Sequence, residues 1–209
     1  MSKAHFITAT GTDLGKTWLT AGLLAACRAQ GRPVRALKPV MSGYDPARHE
    51  DSDIAKVDAG RTAWVYAAPL SPDLAAAKEG KSIDFAELVA WCRGEIEKTD
   101  GLLLIEGVGG VMAPLSARHT VRDWIAALNI PALLVCGTYL GALSHTLTAL
   151  AALRETGIAP EMIVVNESAG STVSLEDTLA SLAPHVGGIP VVALRRDDMG
   201  GVAALAARL

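Results

Sequence analysis

Glycine, lysine and threonine fall together in Ala9-Thr10-Gly11-Thr12-Asp13-Leu14-Gly15-Lys16-Thr17. Residues of these types at this spacing suit one task, holding a chain of phosphates. Gly11 and Gly15 let the backbone turn tightly so that its N–H groups converge on phosphate oxygens, and a helix start adds favourable dipole charge. Lys16 is placed to reach the β and γ phosphates, and the Thr17 hydroxyl to coordinate Mg²⁺. The segment is a P-loop in kind. The first glycine of the strict G-x-x-x-x-G-K-T pattern falls at position 10, which is Thr10.

A Mg²⁺-nucleotide also needs carboxylate oxygens, because hard cations take oxygen ligands and keep several waters. Leu102-Leu103-Leu104-Ile105 is an apolar run that ends abruptly in Glu106 and is followed by Gly107-Val108-Gly109-Gly110. Glycine there lets backbone approach a ligand closely. Lys38-Pro39-Val40-Met41-Ser42-Gly43 ends another apolar run and brings a second ammonium and a hydroxyl.

The elements that must position these residues follow from patterning. Short apolar runs at Ala4 to Ala9, Val34 to Leu37, Leu102 to Ile105, Ala132 to Cys136 and Met162 to Val165 predict buried strands of a parallel sheet. Helix-length segments alternate with them: Thr17 to Gln30, Phe85 to Lys98, Val121 to Leu128, Leu143 to Thr156 and Leu175 to Leu182. Such alternation implies crossover connections and a doubly wound, mostly parallel α/β fold of the P-loop NTPase kind. Gly31-Arg32-Pro33, Asn129-Ile130-Pro131 and Thr156-Gly157 supply helix stops. Ser42 to Ser82 carries little pattern and is assigned to loops and short helices at the strand ends, where ligands gather in such sheets.

The chain has 209 residues, half of them apolar and a fifth charged, which predicts one compact domain over 1–209. A net charge of -3 with scattered Lys and Arg argues against a nucleic-acid or anionic-membrane surface. Small molecules or protein are the expected partners. Cys27, Cys92 and Cys136 are far apart, without zinc or redox spacing, and read as buried thiols. Free thiols and the lack of a signal-peptide pattern point to a cytoplasmic protein. No apolar segment is long enough to span a membrane.

Taken together, the motifs resemble dethiobiotin synthetases, the ATP-dependent enzymes that close the ureido ring of dethiobiotin. The similarity runs in order through Thr10 to Thr17, Lys38 to Gly43, Asp51-Ser52-Asp53, Pro69-Leu70-Ser71-Pro72, Glu106 to Gly110, Leu140 to His145, Val165-Asn166 and Gly188-Ile189-Pro190. The resemblance implies a reaction in which 7,8-diaminononanoate takes up CO₂ as a carbamate. ATP then phosphorylates the carbamate, and the second amine closes the ring. It further implies that Thr17, Asp53 and Glu106 hold Mg²⁺, and that Thr12, Lys16 and Lys38 offset charge on the phosphates and carbamate. Ser42 would hydrogen-bond the carbamate. Asp13, Leu14, Gly15, Lys16, Thr17, Trp18 and Pro190 would carry the nucleotide, with Asn166 reading the adenine edge. Ser42, Gly109, Gly110, Leu140, Gly141 and Ser144 would contact substrate, the last three from the neighbouring subunit of a homodimer.

Other readings make different demands. An ATPase switch of the deviant-Walker kind carries an extra lysine early in the loop, and positions 9 to 14 contain none. A GTPase would need Asn-Lys-x-Asp after a late strand, and Val165-Asn166-Glu167-Ser168 does not supply it.

Overall fold

The computed structural model describes residues 3–57 and 62–209. Strand β1 (Lys3–Ala9) leads through the glycine-bearing loop into helix α1 (Lys16–Ala29). Gly15 holds the N-cap position at φ 89° with no side-chain cap, so the first-turn N–H groups face outward for a ligand. Gly31, at φ 68°, turns the chain into β2 (Val34–Leu37) and, past Pro39, β3 (Val40–Ser42). A 3₁₀ turn over Pro46–Asp51 precedes α2 (Asp53–Lys56), then come β4 (Trp64–Tyr66) and α3 (Pro72–Lys78).

The second half alternates regularly. Helix α4 (Phe85–Glu97) starts where the Asp84 side chain accepts from Glu87 N, and β5 (Leu102–Glu106) follows. In α5 (Val121–Leu128) the Asp123 carboxylate accepts from Thr120 N at 2.7 Å, half of a capping box. Then come β6 (Ala132–Cys136), α6 (Ala142–Glu155), β7 (Met162–Asn166), α7 (Leu175–Leu182), β8 (Val191–Leu194) and α8 (Met199–Ala206).

Six strands form one sheet in the order β2-β5-β1-β6-β7-β8, every neighbouring pair parallel. Strand alternation sorts the apolar side chains onto two faces. Phe6, Leu103, Ile105, Leu134, Ile163 and Val165 pack under α4 to α7. Ile7, Leu102, Leu104, Leu133, Met162 and Val164 pack under α1 and α8. Phe6 meets Trp124 of α5 edge to face, with ring centroids 4.8 Å apart, a favoured aromatic geometry. Both faces are covered, which is why the strands read as continuous apolar runs.

The doubly wound parallel sheet expected from the sequence is present, with two corrections. The region assigned to loops and short helices contains β4, which pairs with β3 at its leading edge in a separate two-stranded parallel sheet, Val40 with Trp64 and Ser42 with Tyr66. Strands of three residues carry too little alternation to be seen in sequence. The sequence reading also lacks β8 and α8. Gly200 and Gly201 in the first turn of α8 disguise it, yet Asp198 accepts from Gly201 N at 2.8 Å, and Val202, Leu205 and Ala206 are buried against the face shared with α1. Among the described residues, no helix is long and apolar enough to cross a membrane.

Candidate functional site

The carboxyl ends of β1, β2 and β5 open on one cavity of about 830 Å³. Two glycine-bearing loops meet there. Val111 N donates to Ala9 O at 2.9 Å, and a Cβ on Gly110 would stand 3.0 Å from Thr10 O. Glycine is what lets the segment after β5 lie against the segment after β1. The Lys16 ammonium arches back over its own loop and donates to Gly11 O at 3.0 Å.

Lys38, just past β2, reaches between two carboxylates. Its Nζ lies 2.6 Å from Glu106 Oε1 and 3.0 Å from Asp53 Oδ2, and donates to Gly107 O at 3.1 Å. Thr17 Oγ1 donates to the same Glu106 oxygen at 2.7 Å. Lys38 is 3% exposed and Glu106 is fully buried, with Oε2 lacking a hydrogen-bond partner among the described residues. Buried ions of this kind persist only when paired.

The electrostatics differ between the two lysines. Burial, and then the charge of Lys38, lower the Lys16 pKa to about 8. Burial also opposes the charge on Lys38, but Glu106 and Asp53 outweigh it and hold the pKa above the ordinary lysine value. Burial opposes the charge on Asp53 as well, and Lys38 overcomes it and lowers the carboxyl pKa.

Among the described residues, no three His, Cys, Asp or Glu side chains cluster as a metal cage. Two carboxylates and the Thr17 hydroxyl nevertheless converge, and the unpartnered Glu106 Oε2 is an oxygen suited to a cation. This all-oxygen set fits a hard divalent ion that completes its shell with phosphate and water oxygens.

A second cavity, of about 460 Å³, shares Asp13 and Gly15 with the first and lies toward the carboxyl ends of β7 and β8. Leu14, Trp18 and Asn166 line it. Asn166 Nδ2 donates to Leu14 O at 3.1 Å. Glu167, Ser168, Arg196 and Asp197 also line it, residues the sequence reading did not select. Arg196 N donates to Glu167 Oε2 at 3.0 Å, joining the ends of β7 and β8. The charged Arg195-Arg196-Asp197-Asp198 run after the last apolar run was the available signal.

The structure thus gathers Thr12, Asp13, Gly15, Lys16, Thr17, Lys38, Ser42, Asp53, Gly109 and Gly110 around the first cavity, with Glu106 beneath them. Four expected residues lie elsewhere. Pro190 precedes β8, and its carbonyl accepts from Ile163 N at 2.9 Å near the amino end of β7. It therefore sits at the far edge of the sheet from the phosphate loop. Leu140, Gly141 and Ser144 line neither cavity: Gly141 is the N-cap of α6 at φ 102°, and Leu140 is 83% exposed.

A parallel sheet with a glycine-lysine-threonine loop between its central strand and first helix defines a P-loop nucleoside triphosphatase fold. A family model described as an AAA domain matches residues 3–194. The MinD cell division protein of Aquifex aeolicus superposes with a TM-score of 0.60 at 14% identity, covering 99% of this chain and 96% of that one. A ParA family ATPase from Chlorobium tepidum gives 0.59 at 12%, covering 100% and 93%. At such identities the likeness concerns the fold.

Sequence relatives are much nearer. The ATP-dependent dethiobiotin synthetase BioD of Acidiphilium cryptum is 47% identical over 88% of this chain and 89% of its own. Its namesake in Methylobacterium nodulans is 45% identical over 87% and 88%, and that of a Caulobacter species 42% identical over 99% and 94%. The chain belongs to the ATP-dependent dethiobiotin synthetase family, a family of enzymes.

Proposed function

We propose that the chain converts 7,8-diaminononanoate, CO₂ and ATP into dethiobiotin, ADP and phosphate, with Mg²⁺ required. The observation that carries this reading is the convergence of Lys16, Lys38, Thr17, Asp53 and Glu106 on one cavity beside a free helix start. Phosphoryl transfer asks a protein for positioning and charge stabilisation rather than for a covalent nucleophile, and that is what this set supplies.

One substrate amine adds to CO₂ and loses a proton, giving a carbamate. A carbamate oxygen then takes the γ-phosphoryl group as ADP departs, which makes a carbamic–phosphoric anhydride. The second amine attacks the carbamate carbon, phosphate leaves with the bonding pair, and loss of a proton completes the cyclic urea. Thr12 and Lys16 hold the phosphates, Lys38 offsets charge on the carbamate and transferred phosphoryl group, and Ser42 hydrogen-bonds the carbamate. Thr17, Asp53 and Glu106 would hold the metal, which when bound offsets charge on phosphate oxygens. Asp13, Leu14, Gly15, Trp18 and Asn166 enclose the nucleoside.

The reading includes a homodimer in which Leu140, Gly141 and Ser144 serve the partner's cavity. Their position outside both cavities and the exposure of Leu140 support this arrangement. The test is to incubate purified protein with ATP, Mg²⁺, bicarbonate and 7,8-diaminononanoate and to follow dethiobiotin by mass spectrometry. Substrate-dependent dethiobiotin is expected. Phosphate release without it would favour an ATPase switch.

A further inference from the structure

Lys38 stands among the oxygens that the proposed function gives to a divalent cation. Glu106 Oε1, Asp53 Oδ2 and Gly107 O lie within 3.1 Å of its ammonium, and the Thr17 hydroxyl spends its proton on the same Glu106 oxygen. This is the coordination pattern of a cation site, filled by a group of the chain itself. It answers a physical need, since two carboxylates at a largely buried point are costly without a positive charge between them.

A magnesium ion needs oxygens at about 2.0–2.1 Å in near-octahedral geometry. To ligate it, Thr17 must turn a lone pair inward and withdraw its proton from Glu106. Thr17 and Asp53 meet Lys38 on the Oε1 side of Glu106, so an ion held by all three side chains would stand against the ammonium, and like charges at that separation repel. We infer that Lys38 is an internal place-holder for the divalent ion, and that entry of the ion displaces its ammonium from Glu106 and Asp53 into the cavity. Lys38 then meets the transferring phosphoryl group only when the ion is seated, so charge for the reaction is assembled in a fixed order. The inference rests on the metal assignment made under the proposed function.

Metal binding can be read without turnover. Mg²⁺ titrated calorimetrically into the metal-stripped full chain, without nucleotide, should bind Lys38→Met at least about tenfold more tightly than wild type, ~1.4 kcal/mol. Equal or weaker affinity in the variant, or no binding by either protein, overturns the inference. Should Lys38→Met fail to fold, wild type decides alone: acylation mapped by mass spectrometry should modify Lys38 several-fold faster with Mg²⁺, while exposed Lys81 stays constant. Unchanged Lys38 labelling overturns the inference. Neither measurement uses the diamine substrate, so failure to form dethiobiotin would count against the proposed function and leave both results readable.

Discussion

Asn166, the last residue of β7, donates its side-chain amide to the carbonyl of Leu14, 152 residues earlier in the chain, at 3.1 Å. The bond ties the phosphate loop to the far half of the sheet, and it passes directly over Gly15.

Gly15→Ala should therefore damage both loop and anchor. Its Cβ would stand 2.2 Å from Asn166 Nδ2, at a backbone φ of +89° that L side chains rarely adopt. Backbone strain alone costs about 1–3 kcal/mol. A lowered melting temperature and at least about tenfold weaker ATP binding, ~1.4 kcal/mol, are expected from thermal denaturation and nucleotide titration. Wild-type values in both would remove Asn166 and Gly15 from the nucleotide site.

Lys16→Ala should keep the fold and lose turnover. Removing one preorganised charge donor costs about 10²–10³ in rate, whereas the lysine's own burial works against its charge. Near wild-type ATP-dependent activity would refute the phosphate-loop assignment.

The depressed Lys16 pKa, about 8 against an ordinary value of 10.5, has a signed consequence. Phosphate charge raises it on binding, so ATP binding slightly above pH 8 should take up a proton, seen as a buffer-dependent calorimetric heat. For folding, the unfolded chain holds more protons between the two values, so this group makes stability rise with pH across that window. Lys16→Ala should remove both effects.

Glu106→Gln removes one charge while keeping shape. Mg²⁺ dependence of activity should move to higher concentration, because a charged oxygen ligand is lost. Breaking the buried pair with Lys38 should also cost about 3–5 kcal/mol, read as a lower denaturation midpoint. An unchanged Mg²⁺ titration would exclude a direct metal role for this side chain.

Shared sites predict rescue by mixing. Lys16→Ala and Gly141→Trp are each expected to be inactive. Unfolded together and refolded in equal amounts, they should regain about a quarter of wild-type activity, since random pairing gives half mixed dimers, each with one intact site. Mixed dimers without recovery would place each whole site within one chain.

Much of this was legible in the sequence because the chemistry sits at element junctions. Lys16, Lys38 and Glu106 each follow or open an apolar run, and a parallel sheet brings all such ends to one edge. Pro190 shows where order along the chain misleads. It belongs to the opposite end of its strand, and nothing in Gly188-Ile189-Pro190 says which end of β8 it occupies. Arg196 and Glu167 were missed because a backbone N–H to carboxylate contact between two strand ends has no periodic trace. The pairing of Lys38 with Asp53 depends on β3, α2 and β4, elements too short to pattern.

The strand order also governs how the molecule is made. β5 lies between β1 and β2, both of which leave the ribosome before it. Thr17 and Glu106 are 89 residues apart, about 4–18 s of synthesis at roughly 5–20 residues per second. Through that interval β1 and β2 have no partner between them, and Lys16 and Lys38 have no Glu106. The nascent amino-terminal half lacks the strand that joins β1 to β2 until then, and the contact of Thr17 with Glu106 can form only once the end of β5 has emerged.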